Sequence, residues 1–227
     1  MKKLITAMAI VAALFVAGKA QAQFSVNLGT SLDFITDRVS IESTYTGDAP
    51  TISTNSMHME GYRGLSLGAN YNFNVTENLG IAIGGQFRWN HLHISEGIFG
   101  PLAHRYISNV FYVDVPVMLN YNFNLNNNWK IAPFVGPMLT YGLGGTIKIC
   151  DQDYNNAVVQ PWYGDYGDTY ATHDYKHLDL SAVGGVAVSY KHFNLSGGYR
   201  YGLLNLAKDD VTKTHTSGVF LGIGYTF

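Results

Sequence analysis

From Phe24 to Phe227 large apolar residues recur at every second position, in eight runs of roughly ten residues separated by polar links. In the first run Phe24, Val26, Leu28, Leu32 and Phe34 fall on one face, with Ser25, Asn27, Gly29, Ser31 and Asp33 on the other. The second sets Leu65, Leu67, Ala69, Tyr71 and Phe73 against Gly64, Ser66, Gly68, Asn70 and Asn72. The third sets Leu79, Ile81, Ile83, Phe87 and Trp89 against Gly80, Ala82, Gly84, Gln86, Arg88 and Asn90. The fourth is the most regular, with Phe111, Val113, Val115, Val117, Leu119, Tyr121 and Phe123 against Tyr112, Asp114, Pro116, Met118, Asn120 and Asn122. The remaining four present Trp129–Tyr141, Leu178–Tyr190, Phe193–Tyr201 and Val219–Phe227 in the same way. Side chains that alternate faces with period two belong to strands. The chain is therefore predicted to be all-β, with eight antiparallel strands.

The second face decides what those strands build. In a soluble sandwich the apolar face is the core and the polar face meets water, but here the polar face is mostly Gly, Ala, Ser and Asn. Such small residues suit the crowded interior of a narrow barrel. Charged residues are 13% of the chain, against ~25% in soluble domains, and there are 16 Tyr and 12 Phe. Lipid tolerates only helices and closed barrels, because backbone N–H and C=O groups must be paired internally. No run after Ala22 approaches the length of a spanning helix. The prediction is a transmembrane barrel with its large apolar face outward, and a soluble lipocalin-like barrel is the alternative.

The start of the chain fits export. Lys2-Lys3, an apolar run from Leu4 to Ala17, and Gly18-Lys19-Ala20-Gln21-Ala22 have the form of a secretory signal cleaved after Ala22. This divides the chain into residues 1–22, a signal peptide, and residues 23–227, the barrel domain. Removing Lys2, Lys3 and Lys19 makes the net charge of −2 more negative still, which argues against nucleic acid as a partner. A single cysteine, Cys150, excludes an intramolecular disulfide framework.

Links at 74–78, 124–128 and 191–192 are short, and those at about 38–58, 95–104, 150–175 and 205–213 are long. Short periplasmic turns and long extracellular loops alternate in this way in outer-membrane barrels, so both termini are expected to face the periplasm. Aromatic residues gather at the short-turn ends, among them Phe24, Tyr71, Tyr121, Trp129, Tyr190 and Phe193, and read as an interfacial girdle. Trp89, Tyr141 and Tyr201 would belong to the opposite one.

Five charged residues point inward: Asp33, Arg88, Asp114, Asp179 and Arg200. Each lies about eight to eleven residues from a short turn, which a strand rise of ~3.4 Å turns into broadly similar depth. Buried charges must be paired or hydrated, so a salt-bridge network that plugs the lumen is expected. His91 and His93 share a face and His104 lies across the same loop, yet no acidic or thiol partner stands at ligand spacing, and no metal or other cofactor is expected. No Ser–His pair at matched depth suggests a catalytic site, with His173, His177 and His215 the residues left open. In the longest loop Asp151-Gln152-Asp153-Tyr154-Asn155 starts like a calcium loop, but Asn156 and Trp162 stand where Gly and Glu are needed. Its Trp162, Tyr163, Tyr166 and Tyr170 form a candidate surface for a carbohydrate or protein ligand.

Tyr112-Val113-Asp114-Val115-Pro116-Val117-Met118-Leu119-Asn120-Tyr121 resembles the signature of the PorT-like outer-membrane barrels of the Bacteroidetes, with Asp114 for the usual Glu and Asn120 for the usual Lys. Pro133-Phe134-Val135-Gly136-Pro137 and Tyr199-Arg200-Tyr201-Gly202-Leu203-Leu204-Asn205 are similar to later segments of that family. Leu221, Ile223, Tyr225 and Phe227 resemble the C-terminal signal that such barrels present to the barrel-assembly machinery. The resemblance implies an outer-membrane location with lipid as surroundings. With a plugged interior and no catalytic pair, a structural or surface-interaction role without enzymatic activity is expected, the alternatives being a narrow solute channel, a secretion accessory or an outer-membrane enzyme.

Overall fold

A computed structural model describes residues 23–43, 52–96, 102–126, 128–153, 164–168, 175–208 and 212–227. The expected signal at 1–22, together with Trp162, Tyr163, Tyr170 and His173, lies outside the described residues. Eight long strands build the wall: β1 (Gln23–Ser43), β2 (Ile52–Asn74), β3 (Leu79–Glu96), β4 (Leu102–Tyr121), β6 (Trp129–Asp153), β8 (Leu178–Tyr190), β9 (Phe193–Gly202) and β10 (Thr212–Thr226). Two short pieces accompany them: β5 (Phe123–Asn124), which prolongs β4, and β7 (Gly164–Asp168), which pairs with β6 and carries Tyr166. Each long strand pairs antiparallel with its neighbours in sequence, and β1 closes on β10, with Leu28 opposite both Ile223 and Leu67. The result is a closed eight-stranded antiparallel barrel.

Several strands run well past the expected ten residues. β1, β2, β3, β4 and β6 have 21, 23, 18, 20 and 25 residues, so parts of the expected long loops at 38–58, 95–104 and 150–175 are paired strand. Cys150 and His104 fall on these extensions, in β6 and β4. We call this the loop end of the barrel, and the opposite end, where Gln23 and Phe227 lie, the turn end.

Burial shows which way the barrel is turned. Ile223, Val135 and Leu67 are 59%, 60% and 59% exposed, whereas Asp114 is fully buried. At the turn end the outward aromatics touch in pairs: Tyr121 with Phe123 (4.8 Å between ring centres), Trp129 with Tyr190 (4.8 Å), Phe193 with Tyr225 (5.3 Å) and Phe24 with Phe227 (5.8 Å). Toward the loop end Trp89, Tyr141 and Tyr201 each lie beside a histidine, His91, His177 and His215. From Phe193 to Tyr201 a strand rise of ~3.4 Å and a tilt of ~40° give a separation of about 21 Å between the girdles, close to the ~25 Å apolar band of outer-membrane barrels.

Two irregularities shape the wall. Between Phe111 opposite Gly144 and Tyr112 opposite Gly142, β6 carries one extra residue, Leu143. Gly144 takes a φ of 140°, a conformation that side chains disfavour, and the bulge reverses which parity of β6 faces inward beyond it. The second lies around Pro116, which has no N–H to give. The β3–β4 pairing is broken between Ile83 opposite Val117 and Gln86 opposite Asp114, and the β4–β6 pairing between Pro116 and Leu119. Here Gly136 lies so close to β4 that a Cβ on it would run into the Val117 carbonyl. Gly136→Ala should therefore lower the urea midpoint of the refolded barrel, by about 1–3 kcal/mol in stability. Gly85→Ala, where a Cβ meets open space, should change it far less. Equal midpoints would mean that the wall adjusts freely around Pro116.

Candidate functional site

The lumen is built in three layers, and the middle one is charged. Register sets it up: Gln86 lies opposite Asp114, Asp114 opposite Thr140 and Thr140 opposite Asp179, a row across β3, β4, β6 and β8. On the far wall Asp33 lies opposite Gly218, and Gly218 opposite Arg200. A Cβ on Gly218 would strike the Asp33 carboxylate, so the glycine leaves room for that side chain to reach inward.

Arg88 bridges the two walls. Its Nε and Nη2 donate to the two oxygens of Asp114 at 2.8 and 3.0 Å, while Nη1 donates to Asp33 at 3.0 Å. The Tyr112 ring packs on its guanidinium, 4.3 Å away. Asp114 also accepts from Gln86 Nε2 (3.0 Å) and Thr140 Oγ1 (2.7 Å), and Asp33 from Ser31 Oγ (2.9 Å) and Asn90 Nδ2 (2.8 Å). Arg200 forms an ion pair with Asp33 through Nη2. The fork of a guanidinium held on both carboxylate oxygens is the strong, directional form of the ion pair. Four of the five charges singled out in the sequence thus meet in one interlocked group.

Asp179 does not join it, contrary to expectation. Thr140, directly opposite, turns its hydroxyl to Asp114 instead. Arg200 stands opposite Val183, nearer the turn end than Asp179, and reaches across β10 to Asp33. Asp179 accepts from Thr216 Oγ1 at 2.6 Å and from Ser181 Oγ at 3.5 Å.

Below the charges, toward the turn end, lies a cavity of about 250 Å³, lined by carboxamides such as Asn27, Asn70, Asn120 and Asn194. Its waist is apolar, which the alternation pattern does not show. Met118, Met138 and Val183 are buried there, with Phe134 and Phe220 packed on them. The two rings lie over Gly185 and Gly198, paired glycines whose missing side chains leave the inner wall bare. Above the charges Ile35, Tyr62, Leu92 and Val110 form an apolar cap with Tyr112 and Tyr175.

Of the described histidines, His177 borders a small void of about 40 Å³ above the charged layer. His91 Nδ1 is 2.9 Å from Asn109 Oδ1, and His177 Nδ1 is 2.8 Å from the Gly142 carbonyl. Among the described residues no three His, Cys, Asp or Glu side chains gather closely enough to hold a metal ion. Leu221, Ile223, Tyr225 and Phe227 all face outward on β10 and at the chain end, and Tyr225 packs against Phe227 at 5.1 Å.

A family model described as outer membrane protein beta-barrel domain matches residues 19–208. Among solved structures the chain is similar to Ail, the attachment invasion locus protein of Yersinia pestis, crystallised with the heparin analogue sucrose octasulfate (16% identity over 91% of this chain and 99% of that one, TM-score 0.40). It is also similar to Neisserial surface protein A (14% identity, 91% and 99%, TM-score 0.44) and to the outer membrane protease OmpT from Escherichia coli (8% identity, 93% and 98%, TM-score 0.44). No curated protein matches.

Proposed function

Since the chain belongs to the outer membrane protein beta-barrel domain family, we propose that it is a closed, non-conducting barrel of the outer membrane whose role is structural or lies in surface interaction. The observation that carries this reading is the Arg88 bridge, which ties Asp114 on one wall to Asp33 on the other across the lumen. An eight-stranded barrel has an interior only wide enough for side chains, and here two guanidiniums and two carboxylates occupy it. The apolar cap adds a second closure on the loop side.

The same reading has residues 1–22 removed on export, both ends of the mature chain in the periplasm and the long strands projecting outward. Leu221, Ile223, Tyr225 and Phe227 then serve recognition by the barrel-assembly machinery, and Trp162, Tyr163, Tyr166 and Tyr170 a surface ligand. Membership of the PorT-like group, and with it a part in secretion, belongs to this proposal too. On this reading the barrel is not an enzyme.

The second reading is a narrow solute channel, and the 250 Å³ cavity favours it, since it runs from the turn end up to Arg88 and Arg200. Planar-bilayer recording of the refolded protein separates the two. The closed barrel gives no steady conductance, and a stable solute-conducting pore would overturn the first reading in favour of the second.

A further inference from the structure

The cavity on the turn side of the charged layer has two unlike walls. Phe134 on β6 and Phe220 on β10 line one of them, packed on Met118, Met138 and Val183. Each ring lays its tip over a glycine of the wall, is only partly buried, and turns what remains exposed to the cavity. The other wall, on β1, β2 and β3, carries Ser25, Ser66, Asn70 and Gln86. Register sets Asn70 opposite Ser25, and Ser66 opposite Gly29. Gln86 donates to Asp114, whereas the side chains of Ser25, Ser66 and Asn70 make no hydrogen bond among the described residues.

No carboxylate lines this space. Arg88 and Arg200 form its roof, but Asp114 and Asp33 behind them answer both charges. The remaining cation is Lys130, at the turn-end mouth, where solvent screens it. An anion inside would find that one ammonium, and amide carbonyls turned toward it as often as amide N–H groups. The unspent carboxamide and hydroxyls both donate and accept, which matches a ligand rich in hydroxyls, groups that also do both. The phenyl rings ask for something else, since their negative faces attract C–H bonds. A ring with hydroxyls at its rim and C–H bonds on its faces satisfies both walls at once. The volume of about 250 Å³ lies under the ~300 Å³ at which pockets for drug-sized ligands begin, and suits one such ring.

We propose that the cavity binds a neutral monosaccharide, which stacks on Phe134 and Phe220 and gives its hydroxyls to the Asn70 and Ser66 wall. The ligand enters at the turn end, between Gln23, Lys130 and Thr226. The inference goes beyond the closed-barrel reading and holds whether or not the lumen conducts, because it needs access from that end alone.

The test is saturation-transfer NMR on the refolded full-length protein in nanodiscs of deuterated phospholipid, irradiating the aromatic protons. The probes are the methyl pyranosides of glucose, galactose and mannose, with methyl glucuronide as the anionic counterpart. At least one neutral glycoside should take up saturation on its ring C–H protons. Phe134→Leu and Phe220→Leu keep an apolar side chain and lose the ring face, so each should weaken binding about fivefold when the signal is titrated. Asn70→Ala should weaken it as well, and Tyr141→Leu, on the outer face, should leave it unchanged. Two ring variants are used so that the result does not hang on one of them refolding. Absence of transfer to all three neutral glycosides would overturn the proposal. So would transfer that persists in both ring variants, which would place the sugar on another surface, or tighter binding of the glucuronide, which would make Lys130 the anchor of an anion site.

Discussion

Replacing Arg88 with alanine should lower the stability of the refolded barrel by about 3–5 kcal/mol, the cost of breaking a buried ion pair by removing one partner. Arg88 makes three of the contacts that hold Asp114 and Asp33, and Asp114 is wholly shut off from solvent. Without the guanidinium Asp114 keeps only Gln86 and Thr140, two neutral donors for an ionised group. The 250 Å³ cavity beneath would admit some water to it and pull the effect toward the lower figure. The double variant Arg88→Ala, Asp114→Asn should recover part of the loss, because the two residues are directly coupled. Lys213→Ala, at an exposed position on β10, should leave the urea midpoint nearly unchanged. If Arg88→Ala unfolds at the wild-type midpoint, the charged layer contributes nothing to holding the walls together.

The second large effect is expected from the apolar waist. Phe134→Ala combined with Phe220→Ala removes two rings whose centres are 6.3 Å apart and which cover Gly185 and Gly198. Burying a phenylalanine completely is worth ~3–5 kcal/mol by truncation, and these rings are half-buried, so about 3 kcal/mol for the pair is the expected loss in urea unfolding. The charged layer stays in place in this variant, so bilayer recordings should remain silent while the midpoint falls. A variant that conducts steadily would show that the waist, and not Arg88, closes the lumen.

The outer face of this barrel is legible in the sequence because lipid imposes one requirement on it everywhere: Leu28, Leu67, Val135 and Ile223 are alike in kind and all outward. The inner face follows no single rule. Phe134 and Phe220 stand at inward positions among small residues, and what justifies them is a pair of glycines on strands β8 and β9. That complementarity is visible only once the register is known. The bulge at Leu143 escaped for a related reason, since alternation in β6 simply changes phase there and the sequence around it reads as the end of a strand. Depth along the strands was enough to bring Asp33, Arg88, Asp114 and Arg200 to one level, but not to show which strands neighbour each other across the lumen. Depth alone places Asp179 with them, and it is the position of Arg200 opposite Val183 that separates it.

The seam between β1 and β10 governs how the molecule can be made. It joins Val26 to Tyr225, and the last residue donates from its backbone to the Phe24 carbonyl, so the two partners lie on the order of 200 residues apart along the chain. Every other wall contact links strands adjacent in sequence and can form locally as hairpins zip together. Until the seam forms, one edge of β1 and one edge of β10 carry a full row of unpaired N–H and C=O groups. Hydrocarbon cannot receive such an edge. An open sheet therefore cannot wait within the bilayer for its last pairing, and zipping of this one seam has to coincide with entry into lipid. The rate of insertion should accordingly respond to substitutions along β1 and β10 more than to equally destabilising ones in the β8–β9 hairpin.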